Sequence, residues 1–348
     1  MRTNPRIVNK LCVGIDLHKD TMTVCVLDPA TGEERFEKIA CKCRDKVVAF
    51  FTALPEGHVV AIESVGFYRW LWELLEPIVE KLLLADATQC RALAGRRIKT
   101  DRDDASNVAQ LLACGRLPLA WAPPMNIARL RDATRHRHYL SRQHARVLHR
   151  VKAIMAMLNR PGPDRLKAHS LHKYVWTNRD KIPGHFLEQL EMAFDELVLL
   201  ERHVAKTDAR IKAMLESDPP LHALALRLMS FPGVGAVIAA TVIAEVGDFH
   251  RFQGRDAIAR YAGLNPRLFS SADTLRTGAI SKTGSRTLRW ALVQASWVAV
   301  RCDPSVKALW ASIKTRNDGK RAIVAIARRV LRWMWSATRG HSDYRRAA

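Results

Sequence analysis

Apolar and β-branched runs at residues 11–17, 21–28, 33–40, 58–63 and 80–85 predict strands, and 3.6-residue spacing at about 44–54, 67–77 and 101–114 predicts helices. The first three strands follow one another through short turns, of which Asp28-Pro-Ala-Thr-Gly32 is the clearest. A three-strand meander followed by alternating helix and strand predicts a mixed sheet with helices against it.

That α/β order is the order of an RNase H-like domain. From about 126 to 158 the pattern turns helical and basic, with Arg129, Arg131, Arg135, Arg137, Arg142, Arg146, Arg150 and Lys152 around His136, His138, His144 and His149. Arg142, Arg146 and Arg150 recur every four residues and so share one face. Asn159-Arg-Pro-Gly-Pro163 ends the helix, and the chain reads as loop-rich to about 184. Over 186–216 the positions Leu187, Leu190, Phe194, Leu197, Glu201, Val204, Asp208, Ile211 and Leu215 follow a 3,4 spacing. All but Glu201 and Asp208 are apolar, which predicts a long helix suited to a coiled coil. It would pack on the 126–158 helix, pair with another subunit, or both. After Asp218-Pro-Pro220 the pattern predicts short helices and turns, with an irregular stretch at 263–286. The expected division is 1–124 for the sheet domain, 125–218 for the basic helix and coiled coil, and 219–348 for a mostly helical domain.

Charge changes the picture more than size does. The 348 residues carry 56 Lys and Arg against 34 Asp and Glu, a net charge of +22. A field of that sign points to nucleic acid and less often to an anionic membrane. No apolar run approaches a bilayer span and the N-terminus lacks a signal-peptide core, so DNA or RNA in the cytoplasm is the expected setting. The seven cysteines (Cys12, Cys25, Cys41, Cys43, Cys90, Cys114, Cys302) show no zinc-type pairing and read as buried reduced thiols.

Within this basic chain, Asp16 and Glu63 each close an apolar strand, and Asp101 and Asp104 lie three apart on one helix face. Several convergent oxygens are what two-metal phosphoryl chemistry requires. Taken singly, each acid is explained as a strand end or a helix N-terminal carboxylate. As a set in the order strand, strand, helix they favour a metal site. The segment after Asp16, Leu17-His-Lys-Asp20, lacks the Gly and Ser/Thr of an actin-like phosphate loop. Phe231-Pro-Gly-Val-Gly235 joins two apolar helical runs, and its N–H groups, Gly233 and Gly235 among them, suit a DNA phosphate or an ordinary helical hairpin. Ala262-Gly-Leu-Asn-Pro-Arg267, Ser270-Ser271 and Gly278-Ala-Ile-Ser-Lys282-Thr-Gly284 crowd small, hydroxylic and basic residues together. Arg276, Lys282 and Arg289 are placed to stabilise phosphate charge, but residue chemistry alone leaves a nucleophile unassigned. A second basic run, Lys314, Arg316, Lys320, Arg321, Arg328, Arg329 and Arg332 with Trp333 and Trp335, extends the electrostatic footprint of the 129–152 helix.

These segments in order resemble the DEDD-type insertion-sequence transposases of the IS110/IS1111 family, described as bridge-RNA-guided recombinases. The resemblance rests on Gly14-Ile-Asp16, Ile62-Glu63 with Gly66, Lys99-Thr-Asp101-x-x-Asp104-Ala105, Pro232-Gly-Val-Gly235, Ala262-Gly-Leu-x-Pro266, Ser270-Ser271, and Ile280-Ser-Lys-x-Gly284 with Leu288-Arg289. It spans nearly the whole chain. It implies a RuvC-like domain holding Mg²⁺ on Asp16, Glu63, Asp101 and Asp104, a coiled-coil linker, and a helical transposase domain with a catalytic serine. The matching serine is Ser271, followed by Ala272 where the family has Gly. The resemblance further implies a covalent phosphoserine–DNA intermediate, donor and target DNA as substrates, and a structured noncoding guide RNA. Homodimers pairing into a homotetramer are implied as well, with the acids of one subunit facing the serine of another. Two other readings stand beside it: a Holliday-junction-type nuclease using two-metal hydrolysis, and a non-catalytic nucleic-acid scaffold. The four acids oppose the scaffold, and the large helical domain after the coiled coil opposes a simple resolvase.

Overall fold

The computed structural model describes residues 7, 9–93, 100–163, 166–271, 274–315 and 318–344. Lys99 and Arg316 lie outside these, as do the side chains of 268–277, which include Ser270, Ser271 and Arg276. The chain divides into two compact units, Met1–Ala122 and Pro123–Ala348.

In the first unit, β1 (Cys12–Leu17), β2 (Thr21–Leu27), β3 (Glu34–Ala40), β4 (Val59–Glu63) and β5 (Lys81–Ala85) form one mixed sheet in the order β3-β2-β1-β4-β5. β1 pairs antiparallel with β2 and parallel with β4, so β1 is central and every one of its residues is buried. Because side chains alternate, the two faces have separate cores. Val13, Ile15, Val60 and Ile62 pack on one side with Val47 and Phe51 of α1 (Arg44–Thr52) and Leu71 and Leu75 of α2 (Arg69–Leu75). Cys12, Val59 and Ala61 pack on the other with Ala105, Val108, Ala109 and Leu112 of α4 (Asp101–Ala113), joined by Cys90 of α3 (Ala87–Leu93). The short α3 was not expected from the sequence.

Gly14 sets how closely α4 approaches the sheet. A Cβ there would lie 2.3 Å from Ala105 O and 2.5 Å from Ala109 N, so the glycine lets the helix backbone rest directly on β1. The start of α4 is fixed by a reciprocal cap. Thr100 Oγ1 accepts from Asp103 N–H, and the Asp103 carboxylate accepts from Thr100 N–H.

The second unit is mostly helical. α5 (Met125–Met157) and α7 (Gly184–Glu216) pack along each other, so the second long helix finds its partner within the chain. The two polar seam positions are satisfied by α5: Asp208 accepts two bonds from Arg137, at 2.9 and 3.1 Å, and Glu201 faces His144. The stretch expected to be loop up to about 184 instead contains α6 (Ala168–Thr177). Leu171 and Val175 sink into the α5–α7 core at helical spacing, and Ala168 N–H donates to Glu201. Beyond it lie α8 (Pro219–Met229), α9 (Ala236–Val246), α10 (Arg255–Tyr261), α11 (Arg286–Cys302), α12 (Pro304–Lys314) and α13 (Gly319–Arg339). α11 and α13 are longer than the short helices predicted there. The irregular 263–286 stretch is an antiparallel hairpin, β6 (Pro266–Ser271) with β7 (Thr274–Ile280). Neither Pro-Arg-Leu-Phe-Ser-Ser nor Thr-Leu-Arg-Thr-Gly-Ala-Ile alternates cleanly between apolar and polar residues, which hides the hairpin from a periodicity reading.

The cysteines are all free, but they are not uniformly buried. Cys12, Cys25 and Cys90 are buried, Cys41 is half-buried, and Cys43, Cys114 and Cys302 are exposed. Burial pushes the Cys12 thiol up to about 11 and the Cys25 thiol up to about 12, so neither is a nucleophile at neutral pH.

Candidate active site and nucleic-acid interface

The parallel register aligns Ile15 with Ile62, so Asp16 and Glu63, one residue further on, end neighbouring strands on the same edge. By alternation both belong to the α4 side. Asp16 stands opposite Thr23, and Thr23 opposite Lys38, giving a row across β1, β2 and β3. The first turn of α4 brings Asp101 and Asp104 over this row. Asp101 Oδ2 lies 3.6 Å from Lys38 Nζ. The capping role falls to Asp103, so Asp101 is not needed to satisfy the helix N-terminus.

Asp16 is 6 % exposed. Its burial pushes the carboxyl above the ordinary range. His18 pulls it back, while the charges of Asp104 and Asp101 raise it again. A desolvated carboxylate among other carboxylates is one that a nearby cation would stabilise. His18 Nε2 sits 3.0 Å from Asp16 Oδ2 and 3.4 Å from Asp101 Oδ1. One donor atom from each of Asp16, His18 and Asp101 falls within 4.8 Å of the others, the one such cluster among the described residues. His18 is not among the candidates that the sequence offers. Its signal was position alone, two residues after a strand-end Asp and so on the same face.

The serine hairpin is anchored at its foot. Lys282 N–H donates to Gly263 O at 3.1 Å and Ser281 N–H to Asn265 O at 2.9 Å. Arg289 Nη1 donates to Ala262 O at 3.1 Å and to Gly284 O at 2.6 Å, tying together the two motif segments that flank the hairpin. Gly284 is packed so closely that a Cβ would lie 1.9 Å from Tyr261 O. The backbones of Ser270 and Ser271 pair with Leu275 and Thr274 beside the turn.

The predicted basic stripe divides. Arg142 and Arg146 are exposed on α5, Arg146 donating to Gln143. Arg150 pairs with Glu196 at 3.0 Å. Arg135 makes two bonds to the Glu245 carboxylate, at 2.7 and 2.9 Å, and Glu245 is buried in α9. That bond holds the Arg135 guanidinium pKa up. Gly233 adopts φ +81 and lies against α11, where a Cβ would meet Ala295 O at 2.3 Å, so helix packing accounts for it; Gly235 caps α9 and opens onto free space. Trp333 faces Tyr344, and Arg339 lies over Trp335.

A DEDD-type transposase model of IS110 elements matches residues 13–159, and the model of the IS116/IS110/IS902 transposase family matches residues 225–311. The chain belongs to the IS110/IS1111 family of DEDD transposases. It is an enzyme that acts on DNA in the transposition of an insertion sequence. A probable family 20 transposase of Pseudomonas aeruginosa is 26 % identical, covering 96 % of this chain and 98 % of that protein. The transposase for insertion sequence element IS1111A of Coxiella burnetii is 21 % identical over 96 % and 91 %. A pilin gene-inverting protein of Moraxella lacunata is 24 % identical over 97 % and 98 %. The two models cover both the acids and the hairpin of this transposase. No helix among the described residues is long and apolar enough to cross a membrane.

Proposed function

We propose that this transposase exchanges DNA strands through a covalent serine intermediate assisted by a divalent metal. In this reading the first unit is an RNase H-like domain whose Asp16, Glu63, Asp101 and Asp104 hold Mg²⁺. The observation that carries the metal reading is the desolvated Asp16 beside Asp101 and His18, with Asp104 close enough to act on the same carboxyl. The bound cation would neutralise charge on the scissile phosphate.

Ser271 Oγ attacks the scissile phosphorus, the bond to the leaving nucleoside oxygen breaks, and the freed hydroxyl takes up a proton. The hydroxyl of the incoming strand then attacks the phosphoserine and restores Ser271, so the phosphodiester energy is conserved. The foot of the hairpin, with Arg289 bonded to Ala262 and Gly284, supports Ser271 on a braced ribbon. Lys282, Arg276 and the exposed Arg142 and Arg146 are the proposed backbone contacts, in keeping with the net charge of +22. Resemblance to the family supports a noncoding RNA as the guide and a dimer pairing into a tetramer as the working assembly. Trapping on a nicked suicide DNA tests the chemistry: an SDS-resistant protein–DNA species is expected from the wild type and is expected to vanish in Ser271→Ala. Retention in Ser271→Ala with loss in Ser270→Ala would move the nucleophile by one residue.

A further inference from the structure

Resting on the metal reading above, we propose that His18 Nε2 is itself a ligand, making the centre a mixed nitrogen–oxygen site that prefers Mn²⁺-type cations to Mg²⁺.

The local fold presents the imidazole for this role. His18 opens the β1–β2 turn, with its N–H donating to Thr21 O at 3.0 Å and its carbonyl accepting from Cys41 Sγ at 3.5 Å. The backbone is thereby held while the ring, about half exposed, projects toward the acids. Adjacent ligands about 2.2 Å from an octahedral cation are about 3 Å apart. The Nε2 distances of 3.0 Å to Asp16 and 3.4 Å to Asp101 match such edges, and one donor atom of each of the three residues lies within 4.8 Å of the others. Lys38 approaches the other Asp101 oxygen, leaving Oδ1 turned toward His18.

Ligand type then decides selectivity. Mg²⁺ favours oxygen and retains its waters, so it would be held by the carboxylates with His18 outside the shell. Imidazole adds affinity for divalent ions of the first transition row, least for Mn²⁺ and more for the later members. His18 therefore discriminates among cations without being needed for a cation to bind.

The test uses the full-length chain, metal-free and then titrated with MnCl₂ or MgCl₂. Pulsed electron paramagnetic resonance on the Mn²⁺ form is expected to show ¹⁴N modulation from a directly bound imidazole. That modulation is expected to disappear in His18→Ala, which should weaken Mn²⁺ about tenfold and leave Mg²⁺ within about twofold. Asp16→Asn separates this proposal from the reading beneath it. If Mn²⁺ binding is lost in Asp16→Asn but the wild type shows no ¹⁴N modulation, or His18→Ala keeps it, the site is metal-binding and the His18 assignment is wrong. Equal weakening of both ions in His18→Ala also overturns it. If Asp16→Asn binds Mn²⁺ like the wild type, the metal reading falls and His18 with it.

Discussion

Gly14 is the most informative single position in the first unit, because one methyl group there perturbs both the fold and the acid cluster. In Gly14→Ala the added Cβ begins 2.3 Å from Ala105 O and 2.5 Å from Ala109 N, whereas ordinary contact starts at 3.4 Å. Both neighbours are helix backbone, so no side chain can swing aside, and α4 must retreat by about 1 Å at an overpacking cost of about 1–3 kcal/mol. Asp101 and Asp104 ride on the first turn of that helix and move with it. Metal-ligand distances tolerate only about 0.2 Å, so the shift should weaken Mn²⁺ binding by about 10–100-fold. Urea unfolding followed by far-UV circular dichroism, with Mn²⁺ titration on the same samples, measures both effects. Gly66→Ala, where the new methyl meets nothing, is the matched control. An unchanged unfolding midpoint in Gly14→Ala together with Mn²⁺ affinity within twofold of wild type would refute the claim that Gly14 positions the acids.

Other outcomes follow from the second unit. Glu245→Ala removes the buried carboxylate and leaves Arg135, which is half exposed and can turn to water, so the loss should be about 1–3 kcal/mol, seen as a lowered urea midpoint; a midpoint within error of wild type would show the pair to be dispensable. Buried Asp303 caps α12; although burial alone would raise its carboxyl, hydrogen bonds from Ser305, Val306 and Tyr344 bring it below the ordinary range. Its stabilisation is therefore present above about pH 4 and is lost as pH falls through the lowered folded value. Asp303→Ala should lose about 1–3 kcal/mol at pH 7, and the gap to wild type should narrow in acid; a gap that widened in acid would reverse the assigned sign. Arg289→Ala removes the bonds to Ala262 O and Gly284 O and should speed amide exchange at Ser281 and Lys282 while leaving β1 protected. Unchanged exchange at the hairpin foot would dissociate Arg289 from the anchoring of the serine ribbon.

The sheet was legible because its central strands are covered on both faces and therefore read as unbroken apolar runs. Asp16 and Glu63 could be picked out for the same reason: each interrupts such a run at its end. The cap was less visible, since Asp101, Asp103 and Asp104 are chemically alike and only the Thr100 geometry shows which one closes the helix. The basic stripe on α5 misleads in the same way. Arg135, Arg137 and Arg150 look equivalent to Arg142, yet Glu245, Asp208 and Glu196, far away in sequence, neutralise them. α6 was hidden by its polar, His-rich outer face, and the β6–β7 hairpin by a sequence with no clean two-residue alternation. His18 escaped notice because a lone histidine in a turn carries no motif, and the second acid beside it, Asp101, arrives only with the approach of α4.

The proposed serine–phosphate bond to DNA is open to direct test by mass spectrometry of the trapped complex after nuclease and protease digestion. A single nucleotide-modified peptide is expected, with the modification on Ser271, formed with Mg²⁺ or Mn²⁺ and absent in Asp16→Asn. Strand cleavage that leaves free DNA ends and no modified peptide would contradict it, and would return the four acids to the role of a hydrolytic nuclease centre.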